Sequence, residues 1–257
     1  MVDKLKKQLL RRLEQLEIVL ATPGALKART KGCYFEIYRI FYRLYKMGLR
    51  PNTMLDIGAN RGMFVKCAHY VFPNSAIYAF EPLKHCYEEL CRLKTIIPHL
   101  ECFNVGLGKE ETQTFIHRNN YDYSSSLLEM ENLQKEAFPY TSQESLEKVE
   151  IRTLDLVLRN RKIERPLLMK IDVQGYESFV LDGAAQTLCL TDYIICEMSF
   201  RSLYKGQALF NDIYEKLLKK NFRFVGQLGE ICHSSSGEVL QIDGLFINAS
   251  NSLPGKI

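Results

Sequence analysis

An α/β chain built on an open, mostly parallel seven-stranded sheet and closed by a C-terminal antiparallel hairpin is predicted by three observations. Short apolar runs end on an acid at Asp56, Glu81, Asp172 and Glu197. Amphipathic stretches of helical spacing separate them, as βα repetition requires. Two closing runs, Phe222 to Val225 and Val239 to Ile247, follow each other without a helix between, so Gly229 to Gly237 reads as their hairpin loop.

With 257 residues, 46% of them hydrophobic, the chain can bury one sizeable core. Residues 49–250 are expected to form that domain, with an insertion at about 110–150 and residues 1–48 as an N-terminal helical extension. In the extension, Leu5, Leu9, Leu13, Leu16 and Leu20 keep helical spacing but are interrupted by Glu14, Gln15 and Glu17. That pattern suits neither a secretion signal nor a membrane span, so a cytoplasmic protein is expected. A net charge of +4 is too small for a nucleic-acid partner, and Lys4, Lys6, Lys7, Arg11 and Arg12 read as a solvated face. The eight cysteines lack zinc spacing and the five histidines form no close cluster; Asp172, Glu177 and Glu197 could hold a divalent cation, but their spacing is not diagnostic, so no metal site is expected.

The first βα unit carries the strongest signal. Met54-Leu55-Asp56-Ile57-Gly58-Ala59-Asn60-Arg61-Gly62 is a buried strand, a tight turn and the start of a helix whose inner face holds Met63, Phe64, Cys67, Ala68 and Val71. Gly58 and Gly62 permit close backbone approach, and the helix start offers unpaired N–H groups. The next strand ends at Glu81-Pro82, where an acid can accept hydrogen bonds from a ribose diol. A dinucleotide fold would want G-x-G-x-x-G, but Asn60 replaces its middle glycine, and Asp56 would repel a pyrophosphate while attracting an ammonium. The amino-acid end of S-adenosylmethionine suits this turn better than NAD.

Farther on, a helix over Tyr87, Leu90, Cys91 and Ile97 leads to a strand through Leu100 to Val105. Asn104 and the backbone of Val105 could meet an adenine edge there. Residues 110–150 lose the βα rhythm, with Thr112, Thr114 and Ile116 alternating as a short strand, and the run Arg118 to Ser126 then supplies Tyr123, Ser125 and Ser126 as polar and aromatic contacts for an acceptor. Ile151 to Asp155 reads as a strand or a helix entry. The buried run Leu167 to Ile171 then delivers Asp172 to a strand tip, before a helix with Glu177 in its first turn and Phe179, Val180, Leu181 and Leu188 along it. A further strand ends at Glu197, and a helix over Phe210, Ile213, Tyr214, Leu217 and Leu218 precedes the hairpin. Asp172 could instead merely cap its helix, and Glu177 could be a solvated first-turn acid.

Taken together, Leu55-Asp56-Ile57-Gly58-Ala59-Asn60-Arg61-Gly62, Phe80-Glu81-Pro82, Thr153-Leu154-Asp155 and Lys170-Ile171-Asp172-Val173-Gln174-Gly175-Tyr176-Glu177 resemble the FkbM family of S-adenosylmethionine-dependent methyltransferases. The similarity runs on through Leu203 to Gln207 and Asn221-Phe222. It implies a Rossmann-like class I methyltransferase fold and methyl transfer, mostly to a hydroxyl of a sugar, lipid-linked glycan or small natural product. One departure stands out: Gln174 occupies a position where the family commonly has Glu, which raises the prospect of an altered activity.

The reading that follows places S-adenosyl-L-methionine against Asp56, Gly58, Asn60, Gly62, Glu81, Pro82, Asn104, Val105 and Asp172. Asp172 is expected as base, with Glu177 as a second catalytic acid, and Tyr123, Ser125, Ser126 and Glu197 are expected to face a small-molecule or carbohydrate acceptor. In-line alignment and one proton acceptor suffice for that chemistry. A cofactor-fold scaffold without turnover is the alternative.

Overall fold

A computed structural model describes residues 2–138, 141, 144–233 and 235–250. Three helices open the chain: α1 (Val2–Ala21), α2 (Ala25–Thr30) and α3 (Phe35–Lys46). Alternation then begins with β1 (Thr53–Ile57), α4 (Met63–Val71), β2 (Ala76–Phe80), α5 (Lys84–Arg92) and β3 (Leu100–Phe103). It resumes at α7 (Leu154–Leu158), β7 (Leu167–Ile171), α8 (Glu177–Asp182), α9 (Ala185–Leu190), β8 (Tyr193–Ser199) and α10 (Phe210–Lys219), and ends in β9 (Phe222–Cys232) and β10 (Val239–Asn248).

The main sheet has the order β3-β2-β1-β7-β8-β10-β9. All neighbours are parallel except β10, which runs antiparallel to both β8 and β9. Every residue of β1, β7 and β8 is buried, which explains their unbroken apolar character: helices cover both faces. One apolar cluster joins α3 and α4 to one face through Phe41, Leu44, Phe64 and Met54. Another joins α8 and α10 to the opposite face through Val180, Ile213, Leu217 and Met169. The order reverses between β1 and β7, so the crevice expected of an open α/β sheet lies at their carboxyl ends.

Three sequence expectations change in detail. The single helix expected from 177 to 188 is broken into α8 and α9 around Gly183. β9 runs past Gly229 to Cys232, so the first four residues of the expected hairpin loop are paired strand. Within the insertion, β5 (Thr112–Asn119) pairs antiparallel with β6 (Glu144–Arg152), and β6 pairs with β4 (Gly106–Leu107), making a second, three-stranded sheet. Ile151-Arg152 is therefore strand, and Thr153 caps α7 by accepting from Leu156 N–H. Among the described residues, no helix is long and apolar enough to cross a membrane.

Candidate active site

Three clefts open along the carboxyl edge of the sheet, and the first lies over β1, β2 and β3. Its volume, open mouth included, is about 630 Å³, within the range of small-ligand sites. Apolar walls come from Pro82, Val105, Leu107, Ile116 and Leu127. Glu81 supplies its buried polar element: Oε2 accepts from Asn60 N–H at 2.8 Å and Oε1 from Leu83 N–H at 2.8 Å. Burial pushes the Glu81 carboxyl up to about 7, although both backbone donors pull the other way. Asn60 takes a left-handed conformation, with φ of 46°, and its Oδ1 accepts from Arg61 N–H.

Gly58 is required here by packing more than by a ligand. Its φ is 79°, and an added Cβ would stand 1.8 Å from the carbonyl oxygen of Asp172. Gly62 does not line the cleft: a Cβ there would meet Leu93 and Leu90, so it serves the seating of α4 against α5. Asp56 also departs from expectation. The register pairs it with Lys170 across β1 and β7, and its fully buried carboxylate forms an ion pair with Lys170 Nζ at 3.0 Å. That contact lacks the alignment of a hydrogen bond. Desolvation pushes the Asp56 carboxyl up, with Lys170 opposing. Asp56 lines none of the three clefts and is spent on the core, so it offers no charge to a ligand ammonium. Asn104 is exposed and lines none of the three clefts, its Nδ2 donating to the carbonyls of Glu81 and Pro82.

The insertion closes over this cleft through a polar cluster. Asp122 accepts from Arg61 Nη2 at 2.6 Å and lies 2.8 Å from His85 Nε2, while Arg61 also holds Glu89. Burial alone would raise the Asp122 carboxyl, but Arg61 and His85 keep it below its ordinary value. His85, Cys86 and Asp122 bring three ligand-type atoms within 4.8 Å, a grouping the sequence reading did not foresee. Arg61 and His85 occupy Asp122, and burial keeps the Cys86 thiol protonated. Tyr123, Ser125 and Ser126 line the cleft beside Glu81. Desolvation pushes the Tyr123 phenol up to about 12. The serines are already engaged: Ser125 Oγ accepts from Asn119 N–H, and Ser126 Oγ donates to Gln174 O at 2.6 Å.

Acids gather on the other side of β7. Asp172 stands at its tip, 37% exposed, with Oδ2 3.4 Å from Lys170 Nζ. Glu197 and Asp243 are register partners on β8 and β10. Burial, with neighbouring acids, pushes Glu197 well up and Asp243 up to about 6. Lys170 also donates to Gly58 O at 2.9 Å and stays a cation, its attraction to Asp56 and Asp172 overcoming desolvation. These acids face a second cleft, about 710 Å³ with its open mouth, under α3 and the β9–β10 hairpin. Glu177 is not among them. Its Oε1 accepts from Val173 and Gly175 N–H at 3.0 and 3.1 Å, so it holds the turn after β7 and lines no cleft. A third cleft, bounded by Phe64, Tyr123, Lys170 and Asp243, lies between the other two. Asp172 lines all three.

Lys170, Asp243, Arg61 and Asp122 carried no assigned role in the sequence reading. Acids at strand ends signalled Asp172 and Glu197, but Asp243 is followed by Gly244 within a longer apolar run, and Lys170 interrupts one; each gains meaning only from a strand distant in the chain.

Fold order, nucleoside-sized crevice and buried acid at the tip of β2 define an α/β enzyme of the class that transfers groups from a nucleoside cofactor. The family model of the methyltransferase FkbM domain matches residues 56–224, and the chain belongs to that family. It is 28% identical over 186 residues to the 2-O-methyltransferase NoeI of Sinorhizobium fredii (strain NBRC 101917 / NGR234), covering 68% of this chain and 74% of that protein. With methyltransferase sdnD of Sordaria araneosa it shares 29% over 153 residues, 51% of this chain and 59% of the relative. A solved magnesium protoporphyrin IX methyltransferase (ChlM) from Synechocystis PCC 6803 with bound SAM aligns over 82% of this chain and 77% of its own, at 11% identity and a TM-score of 0.45, too loose a likeness to bear on activity. The chain is a methyltransferase, with S-adenosylmethionine as its donor. The first cleft fits that cofactor: apolar walls suit a purine, and Glu81 keeps its carboxylate at the floor.

Proposed function

We propose that this chain methylates a hydroxyl oxygen of a sugar or other small polyhydroxylated compound, with the cofactor over β1–β3 and the acceptor in the cleft beneath α3 and the β9–β10 hairpin. The observation that carries it is the place of Asp172. Its open carboxylate is the one lining residue common to all three clefts, so it meets both the donor side and the acceptor side. A relative named as a 2-O-methyltransferase supports oxygen as the atom methylated.

Glu81 accepts from ribose hydroxyls, and Asn60 and Tyr123 bound the passage between the first and third clefts. S-adenosylmethionine supplies a methyl on positively charged sulfur, which leaves as a neutral thioether with the electron pair of the broken carbon–sulfur bond. Asp172 takes the hydroxyl proton as the new carbon–oxygen bond forms, and Lys170, fixed on Gly58 and Asp56, stands 3.4 Å from its Oδ2. Glu197, Gln241 and Asp243 offer acceptors to further acceptor hydroxyls. The segment 119–126, which the sequence suggested as acceptor cover, is used mainly to close the cofactor crevice.

The test is methyl transfer from labelled S-adenosylmethionine to a panel of oligosaccharides and small polyols. Label is expected in base-stable methyl ether, and Asp172→Asn should lower turnover by about 10²-fold while cofactor affinity is retained. Label on nitrogen or carbon, or equal turnover by the variant, would overturn the proposal.

A further inference from the structure

Between Asp172 and Glu197 stands a neutral donor. Gln174 Nε2 donates to Asp172 Oδ1 at 3.0 Å and lies 2.9 and 3.2 Å from the two carboxylate oxygens of Glu197. At the other end of the amide, Gln174 Oε1 accepts from the Tyr204 hydroxyl at 2.8 Å, and Tyr204 is fully buried. The main chain is fixed as firmly. Gln174 has φ of 54°, and its carbonyl accepts from Ser126 of the insertion. The two acids set the amide orientation, because the flipped group would turn its carbonyl oxygen toward both of them, whereas the Tyr204 hydroxyl, also 3.3 Å from Ser124 O, can meet either end.

Two carboxylates that share one electropositive group are also the arrangement that holds a hard divalent cation. Around this pair stand Lys170 on the far oxygen of Asp172, Asp243 beside Glu197, and Glu177 behind the turn. The surplus of acid over base is what a cation would relieve.

We propose that Gln174 is a positioning residue of the acceptor cleft, its amide N–H₂ standing where a divalent cation bridging Asp172 and Glu197 would otherwise bind, and holding the Asp172 carboxylate in place for proton transfer. The second part rests on the proposed role of Asp172; the first does not. Gln174 thereby also links the acid pair to the insertion, through Tyr204 and Ser126.

Mn²⁺ binding to the full chain at neutral pH, followed by loss of the free-ion electron paramagnetic resonance signal, tests this directly. Wild type is expected to bind Mn²⁺ weakly. Gln174→Glu should bind one Mn²⁺ at least about 10-fold more tightly, since affinity follows the count of charged oxygen ligands, and adding Asp172→Asn should remove the gain. Should the added acid prevent folding, Gln174→Ala opens the same gap without charge and should show a smaller gain with the same dependence on Asp172. Tight, Asp172-dependent Mn²⁺ binding by wild type would overturn the proposal, as would no gain in either variant. The measurement needs no acceptor and no turnover, so failure of hydroxyl methylation and failure of this test are distinguishable.

Discussion

The two halves of the carboxyl edge handle buried acid in opposite ways. Over β1–β3, Glu81 has two backbone N–H donors to itself, and Asp56 has the ammonium of Lys170. Across β7, β8 and β10, Asp172, Glu197 and Asp243 crowd together and share the edge of that same Lys170 and the amide of Gln174. One half is compensated group by group, and the other is compensated collectively. A fixed ligand contact needs the first arrangement. A group that must meet an incoming hydroxyl is better served by the second, where Asp172 is the exposed member of the crowd.

Lys170 joins the halves, so its loss should have the largest effect. Lys170→Met leaves Asp56 fully buried without its countercharge and should cost about 3–5 kcal/mol of unfolding free energy, measured by denaturant titration. Adding Asp56→Asn should restore a good part of that loss; no recovery would mean that Lys170 matters for some other partner. Glu81→Ala comes next. Ribose hydroxyls would lose a charged acceptor, and S-adenosylmethionine binding should weaken by about 1.5–3 kcal/mol in calorimetry. Unchanged affinity in a folded variant would strip the first half of its ligand role.

A third expectation concerns pH. Glu81 and Glu177 titrate near 4.5 in the unfolded chain and are pushed up to about 7 by burial, and Asp243 is pushed up from 3.8 to about 6. Across that interval the folded chain holds more protons than the unfolded one, so stability falls as pH rises from about 4.5 to 7 and then levels. Thermal melts of the unliganded protein at both ends should show the drop. Glu177→Gln removes one of these protons and should reduce it, with turnover falling less than about tenfold because Glu177 holds a turn and not a reactant. A drop of the same size in that variant would show that Glu177 titrates alike in both states.

Much of the frame was legible because burial on both faces writes itself into the chain as apolar runs, and strand tips write themselves as the acid or glycine that ends each run. Glu81 and Asp172 were found in that way. Asp56 carries the same local signature as Asp172 and has a different fate, since the register that sets Lys170 beside it is not a local property. Glu177 was misjudged for a related reason: a first-turn acid looks the same whether it faces a cleft or curls back to the N–H groups of its own turn. The second sheet was missed as a sheet, with only β5 and the end of β6 open to a strand reading, because β5 and β6 are half exposed and belong to no βα repeat.

The bare Cα of Gly58 against the carbonyl of Asp172 has a practical consequence for anyone wishing to redirect this enzyme. The turn after β1 and the tip of β7 meet there through main chain, with Lys170 Nζ held on Gly58 O beside the contact, so a shift in one is passed on to the other. On the proposed placement of donor and acceptor, substitutions in 56–62 or 170–175 should therefore alter donor affinity and reaction rate together. A library meant to alter acceptor choice then belongs on Ile37, Arg39 and Ile40 of α3 and on Glu230 and Ile231 of β9, where side chains border the proposed acceptor cleft and the main-chain joint is left untouched.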